Sequence, residues 1–500
     1  MLLLCYLIPV TIVSSAEKNV IFFITDDESP TLGCYGDPVA VTPHIDALAQ
    51  DGVRFTRAFA TTASCSASRS VVLSGLHNHY NGQYGHTHHF HKFTSFPAVI
   101  GLSLPRAMAR AGYRTGQIGK YHVAPEEVFH FEKYIPGNGR NAVSMANNCR
   151  EFINDKTDKR PFFLYFATTD PHRGGGKDQS SKQELKPDLF GNRADNKSWP
   201  GINEVRYDPQ QVPIPHFLPD TSETREELAQ YYQSVSRIDQ GLGQLVKILK
   251  EAKLYDKTMI IFTSDHGMAF SGGKTTTYEG GLVVPFVVRN PYIAKRGFTT
   301  NAMISHIDIT PAILDFAGGL NDSKTAPKSV LDWRAYYRDK GVNQGDNLDG
   351  RHKFDAYHGK SWLPVLEDPE SKHWDTIFAS HTFHEIQMYY PMRVVRDDQY
   401  KLIWNIAHGL PYPFASDLWA ASSWQAQFRK GLDSPYGQKS VHDYIHRAKF
   451  ELFDIRKDPH EKYNLADDPR HEKTLEKYKQ LLKEHQKRMH DPWIMKWDYE

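Results

Sequence analysis

One design recurs along the chain and limits what it can fold into: a short apolar run that stops at charged residues. Asn19 to Thr25 (NVIFFIT) ends in Asp26 and Asp27. Pro161 to Ala167 leads to Asp170, Pro171 and His172. Met259 to Thr263 leads to Asp265, His266 and Gly267, and Tyr113 to Ile118 leads to Lys120 and His122. Short runs rich in β-branched and aromatic residues read as strands buried on both faces. Val283 to Val288 is a further candidate strand. Helical patterns alternate with these runs. Thr42 places a cap residue before Pro43 at a first helical position, and Gly52 closes that helix. Thr221 to Leu249 carries Leu228, Tyr231, Val235, Ile238, Leu242, Leu245 and Leu249 at spacings of three and four, which predicts a long amphipathic helix. Alternating strands and helices imply an α/β fold with a mainly parallel sheet covered on both faces. Ligands of such sheets bind outside the carboxyl ends of the strands, where the charged residues fall.

From about residue 370 the pattern changes. Asp375 to Ser380, Met392 to Arg396, Lys401 to Asn405 and Phe450 to Asp454 read as short strands, and Leu475 to Arg488 as a terminal helix. The expected division is therefore a large unit over residues 17–370 and a smaller α+β unit with an antiparallel sheet over 371–500. Arg173 to Trp199 and Asn321 to His352 read as surface loops or insertions. At the start, Met1 to Val13 is almost wholly apolar, and Ser14, Ser15 and Ala16 follow. That pattern predicts a signal peptide over residues 1–16, and hence an exported protein: periplasmic, extracellular or lysosomal according to the host. No stretch reaches the length of a permanent membrane span.

Lys and Arg total 60 against 59 Asp and Glu. Such a balance argues against binding nucleic acid or an anionic membrane through bulk charge. The four cysteines are too few for a disulfide scaffold. Cleavage would remove Cys5 and leave Cys34, Cys65 and Cys149, an odd number in an oxidising compartment.

Asp26 and Asp27 are adjacent carboxylates at a strand end, and Asp265 with His266 repeats the arrangement. Close carboxylates repel unless a cation lies between them. Three of them converging suggest a hard divalent ion held by oxygen ligands, Ca²⁺ or Mg²⁺. Cys65, Ser66, Ala67, Ser68 and Arg69 precede the apolar helical run Ser70 to Leu73. The cysteine is thus expected at a helix N-terminus, which favours an anion, with Arg69 four residues on and on the same side.

Those five residues match Cys-x-Pro/Ala-x-Arg, the maturation signature of the type I sulfatases. The chain resembles that family throughout: Asp26 and Asp27, Thr42 to Asp46, Ser74 and Gly75, Gly119 to His122, Asp170 to His172, and Ser264 to Gly267. Ser380 to Glu385, Tyr390 to Arg393, Asp458 to Glu461, Asn464 to Ala466 and His490 to Trp493 resemble the heparan N-sulfatase (sulfamidase) branch. The resemblance implies an alkaline-phosphatase-like α/β/α sandwich and hydrolysis of a sulfate group on a glycan. It implies that a maturation enzyme converts Cys65 to formylglycine, whose hydrated aldehyde is the nucleophile. It further implies a metal, Ca²⁺ in the first place, held by Asp26, Asp27, Asp265, His266 and the modified Cys65. Arg69, Lys120 and Lys274 would neutralise charge on the diol and sulfate, His122 would assist the formylglycine, and His172 would protonate the leaving group. His384 and Glu385 match the substrate-recognition segment. The substrate implied is the N-sulfate of a terminal glucosamine in heparan-type chains, and a homodimer is compatible with the family.

The sequence departs from the sulfamidase pattern at four positions. Ala67 replaces the commoner Pro. His266 stands where sulfamidases commonly carry Asn, and imidazole tolerates softer metals. Lys274 stands where Arg is usual, keeping the charge but not the bidentate geometry. The sulfamidase cysteine after the Asp-Pro-His-Arg segment is Gly174. The other readings are an O-sulfatase acting on uronate or hexosamine, a phosphonate or phosphate ester hydrolase, and an inactive glycan-binding protein. The run from His77 to His91 holds six histidines (77, 79, 86, 88, 89 and 91). It reads as a polar loop walling the pocket, with a separate metal site as the alternative. Asn196 to Ser198 and Asn321 to Ser323 are acceptor sequons wherever the host glycosylates.

Overall fold

The strand Asn19–Thr25 is buried along its whole length. Successive side chains of a strand point to opposite faces. Ile21 and Phe23 therefore enter one core while Val20, Phe22 and Ile24 enter another. The first core is covered by the helix Ser222–Glu251, through Leu228, Tyr231, Val235, Ile238 and Leu242. The second is covered by the helices Cys65–Val72, Leu104–Arg110 and Ile309–Phe316, through Val72, Ala107, Met108 and Ile313.

This architecture is that of a computed structural model, which describes residues 18–88, 92–173, 175–176, 186–187, 189–193, 197–320 and 356–499. The expected signal peptide, most of the 173–199 stretch, all of 321–352, Gly174, His89, His91, Asn196 and the second sequon lie outside the described residues.

The main sheet has eight strands. Their order across it is Phe298–Ser305, Val53–Phe59, Phe286–Arg289, Thr258–Ser264, Asn19–Thr25, Phe162–Ala167, Arg114–Gly119 and Lys133–Ile135. Every neighbouring pair is parallel except the two that involve Phe286–Arg289. That strand begins at Phe286 rather than Val283, and Val283 makes only an isolated bridge to Phe59. Pro285 lies between them and has no N–H to give to a ladder. The helix Pro43–Gln50 has Pro at its first turn, as the sequence predicts. Thr221 caps the long helix by accepting a hydrogen bond from the Thr224 N–H.

A second sheet of four antiparallel strands follows the order Ile377–His381, Met392–Arg396, Tyr400–Asn405 and Phe450–Asp454. The helix Glu472–Arg488 packs on it through Tyr478 and Leu482, which meet Val395, Leu402 and Trp404. Buried ion pairs fasten this unit. Arg393 Nη2 reaches Asp491 Oδ1 at 3.0 Å, and Arg396 Nη2 reaches Glu279 Oε2 at 3.1 Å.

Where the terminal helix meets the large unit, imidazoles gather. His77 lies 5.2 Å from His485 and 5.5 Å from His358, ring centre to ring centre. His485 stacks on Phe378 at 3.7 Å. Burial holds His77, His358 and His485 below the usual imidazole range, His358 at about 3. An unfolded histidine binds protons near pH 6.5, while these stay neutral in the folded state. Their contribution to stability is thus full above about pH 6.5 and is lost as pH falls toward 3. We expect the melting temperature to drop through that window, and His485→Phe, which keeps the stack without a titrating ring, to flatten the acid limb in scans from pH 7 to 4.

Candidate active site

Four strand ends deliver the site. Asp26 and Asp27 follow Asn19–Thr25, Asp265 and His266 follow Thr258–Ser264, Lys120 and His122 follow Arg114–Gly119, and His172 follows Phe162–Ala167. The backbone bends sharply to do so. Asp27, His122 and Thr275 have φ of 64°, 51° and 64°, a region that costs a non-glycine residue on the order of 1 kcal/mol or more. Gly119, before Lys120, has φ of 84°, and a Cβ there would stand 2.0 Å from the Ala167 carbonyl oxygen.

Cys65 opens the helix Cys65–Val72 and is fully buried. Its Sγ lies 3.6 Å from Asp27 Oδ1 and 3.4 Å from His266 Nε2. His266 Nδ1 is 3.0 Å from the Gly267 carbonyl. A carbonyl only accepts, so Nδ1 carries a proton, and Nε2 faces Cys65 and Asp27, 3.1 Å from Asp27 Oδ1. Asp27 N–H donates to Asp265 Oδ1 at 3.0 Å, which ties the two strand ends together.

Three cations balance the carboxylates. Arg69 spans two of them, with Nε 3.0 Å from Asp265 Oδ2 and Nη2 3.1 Å from Asp26 Oδ1. Its Nη1 donates to Tyr165 OH at 3.2 Å. Lys120 Nζ pairs with Asp26 Oδ2. Lys274 Nζ lies 2.9 Å from Asp27 Oδ2, 3.0 Å from His172 Nε2 and 2.8 Å from Asp417 Oδ2.

The shifts follow from burial and these pairs. Burial alone would raise Asp26, but Lys120 leads a set of positive neighbours that hold it well below the usual carboxylate range. Asp265 is pushed up to about 6, by burial first and then by the Asp26 carboxylate. Burial raises the Cys65 thiol well above its ordinary value. His172 is lowered by burial and by Lys274, and His122 by burial and by Lys120.

The donor set fits a divalent cation. Asp26, Asp27 and His172 each bring a donor atom close to Cys65, as do Asp265 and His266. Carboxylate oxygens suit a hard ion, and the His266 nitrogen widens the choice toward softer ones. The raised Asp265 points the same way, because a carboxylate beside Asp26 gains from added positive charge.

The sequence-predicted residues fall into two groups. Asp26, Asp27, Cys65, Arg69, Lys120, His172, Asp265, His266 and Lys274 form one contact network. His384 and Glu385 border it: His384 Nδ1 is 3.0 Å from the Ser64 hydroxyl, next to Cys65. Glu385 Oε1 is 3.3 Å from His88 Nε2. His122 stands at this border too, with Nε2 3.2 Å from His88 Nδ1. Sequence reasoning missed Asp417 and Tyr165. Asp417 sits in the short helix Ser416–Trp419 with no neighbouring motif to mark it. Tyr165 lay inside a strand and read as core. Cys34 and Cys149 are free as well as Cys65, so an odd cysteine count did not by itself single out the reactive one.

The sulfatase family description matches residues 18–319. The chain is 36% identical to human N-sulphoglucosamine sulphohydrolase, over 95% of this chain and 91% of that protein. It is 26% identical to an ulvan-active sulfatase of Formosa agariphila, over 93% of this chain and 78% of the other. A solved structure in complex with its substrate D-glucosamine-2-N,6-O-disulfate superposes with a TM-score of 0.62 at 19% identity, covering 95% and 98% of the two chains. The phosphonate monoester hydrolase of Agrobacterium radiobacter superposes with the same TM-score at 19% identity, covering 94% and 96%.

Lys274 joins Asp27, His172 and Asp417, so removing its charge should disturb both the carboxylate and the imidazole. We expect Lys274→Met to lower kcat/KM by about 10²- to 10³-fold, the scale of losing one preorganised charge donor. Asp417→Asn, which reaches the site only through Lys274, should cost about tenfold. Steady-state kinetics on both variants, with melting curves to confirm folding, checks the order.

Proposed function

The chain belongs to the sulfatase family, and from that premise we propose that it removes the N-linked sulfate from a terminal N-sulfoglucosamine of a heparan-type glycan. It is a hydrolase of sulfate esters or sulfamates with the alkaline-phosphatase-like sulfatase fold. The family implies a formylglycine and a divalent metal. The observation that carries the reading is Cys65 at the start of a buried helix, its Sγ 3.6 Å from Asp27 and 3.4 Å from His266. A thiol with its pKa pushed up by burial is a weak nucleophile. That argues for Cys65 as the precursor of the reactive group rather than the reactive group itself.

Asp26, Asp27, Asp265 and His266 would hold the ion, with Ca²⁺ as the proposed metal and Cys65 completing the set once converted. When bound, the ion polarises the sulfate oxygens, and the hydrated aldehyde supplies the attacking oxygen. The chain's own side chains do the rest. Arg69 and Lys120 are locked on Asp26 and Asp265 before substrate arrives, so their charge is already oriented when negative charge builds. Lys274 holds Asp27 and His172 in one place. An amine leaves only with a proton, and His172, with a side chain 19% exposed, is placed to give it. Burial and Lys274 keep His172 unprotonated at rest. A bound sulfate brings negative charge that raises its proton affinity. His384 and Glu385 would meet the sugar. The apolar leader supports export, with maturation of Cys65 on the way.

His266 and Lys274, in place of the Asn and Arg usual in sulfamidases, favour a second reading, a carbohydrate O-sulfatase. Product analysis on N-sulfated glucosamine, 6-O-sulfated glucosamine and aryl phosphates separates the readings. We expect free sulfate and a free amine from the first substrate, and an aldehyde mass at the Cys65 peptide. Preferred turnover of the 6-O-sulfate would install the second reading, and turnover of aryl phosphate alone would overturn both. Cys65→Ala should abolish turnover above background.

A further inference from the structure

Beside the Cys65 network lies a second group of ligating side chains, two of which, His86 and His88, the hydrolase reading leaves without a task. His86 Nδ1 is 3.1 Å from His88 Nδ1, and His88 Nδ1 is 3.2 Å from His122 Nε2. On its other side His88 Nε2 is 3.3 Å from Glu385 Oε1. The three imidazoles each offer one nitrogen within 4.8 Å of the others. They come from two separate stretches of chain, and Glu385 from a third. His86 is held in place from the C-terminal unit: its N–H donates to the His384 carbonyl at 2.8 Å, and its ring packs on His384 with centres 3.8 Å apart.

Hydrogen bonding alone serves this cluster poorly. His88 Nδ1 has either one proton or one lone pair. Two imidazole nitrogens approach it, and His86 Nδ1 also stands 3.2 Å from His88 Nε2, which already faces Glu385, so the ring protons must be shared. A cation on the same centre satisfies all the nitrogens together. The spacings suit that role: two nitrogens each 2.0–2.1 Å from a tetrahedral ion stand about 3.3 Å apart, against the 3.1 and 3.2 Å observed.

We propose that His86, His88 and His122, with Glu385 orienting the His88 ring from its far nitrogen, form a second metal site that takes a borderline divalent ion of the zinc type. Three imidazoles match the preference of such ions, whereas the three aspartates around Cys65 match a hard one. The two sites therefore sort different metals. Occupation of the histidine site holds His122 Nε2 on the ion, so zinc inhibits hydrolysis. The inhibition rests on the role given to His122 above; the binding does not.

The test uses the full-length mature protein in excess Ca²⁺, titrated with Zn²⁺ by calorimetry and assayed for bound zinc after desalting. We expect one zinc per chain in the wild type, and an affinity weakened by about 10- to 100-fold in His88→Ala. X-ray absorption should report a nitrogen-rich shell in the wild type. Should His88→Ala not fold, as judged by its melting curve, His88→Gln takes its place. No bound zinc in the wild type, or equal zinc and equal affinity in wild type and variant, overturns the site. Turnover in the wild type should fall about tenfold with zinc, and the variant should escape this loss. Zinc that binds and depends on His88 yet leaves turnover unchanged would keep the site and remove His122 from the chemistry at Cys65.

Discussion

The structure turns on one electrostatic constraint: Asp26, Asp27 and Asp265 are all fully buried and gather around Cys65. Buried charges are tolerated only when paired and hydrogen-bonded. Here every carboxylate has a cation, and one cation is shared. Arg69 bridges Asp26 and Asp265, Lys120 adds a second charge to Asp26, and Lys274 serves Asp27. The fold can be read backward from this need. Two parallel strands, Asn19–Thr25 and Thr258–Ser264, must lie side by side to bring the acids together. The helix after Val53–Phe59 must start at Cys65 so that Arg69, one turn on, points at both.

Much of this was legible because the strands are buried on both faces. Continuous apolar runs marked Asn19–Thr25, Phe162–Ala167 and Thr258–Ser264 almost to the residue, and the charged residues after them marked the site. Besides the three-residue edge strand Lys133–Ile135, two strands of the main sheet with polar faces escaped notice. Val53–Phe59 reads VRFTRAF and Phe298–Ser305 reads FTTNAMIS. They lie toward one side of the sheet, where part of each strand meets solvent, and neither shows a clean apolar run. Asp417 was illegible for a different reason. Its partner Lys274 is 143 residues away, and a single acid in a four-residue helix has no local pattern to announce its role.

The two donor groups differ in what they ask of an ion, and the polypeptide separates them by the backbone that carries each. Carboxylates rise from strand ends, where Asp27 is further fixed through its N–H to Asp265. The histidines come from the loops beyond the helix Cys65–Val72 and beyond the strand Arg114–Gly119. His122 belongs to both neighbourhoods, since it follows Lys120 by two residues and touches His88. Any change in its protonation or ligation is therefore felt on both sides.

The smaller unit completes the site rather than decorating it. Asp417 fixes Lys274, His384 fixes Ser64 beside Cys65, and Glu385 approaches His88. These contacts join residues 143 to 320 positions apart, so the site cannot form until both sheets have folded and docked. The docking surface is itself charged and buried: Glu279, next to the turn after Tyr278, is gripped by Arg396 and Lys401 of the second sheet. A substitution that loosens that grip acts on catalysis at a distance, because it frees the segment that runs from Lys274 to Glu279. The geometry of the cations around Cys65 is in this sense a property of the interface between the two sheets as much as of the large sheet alone.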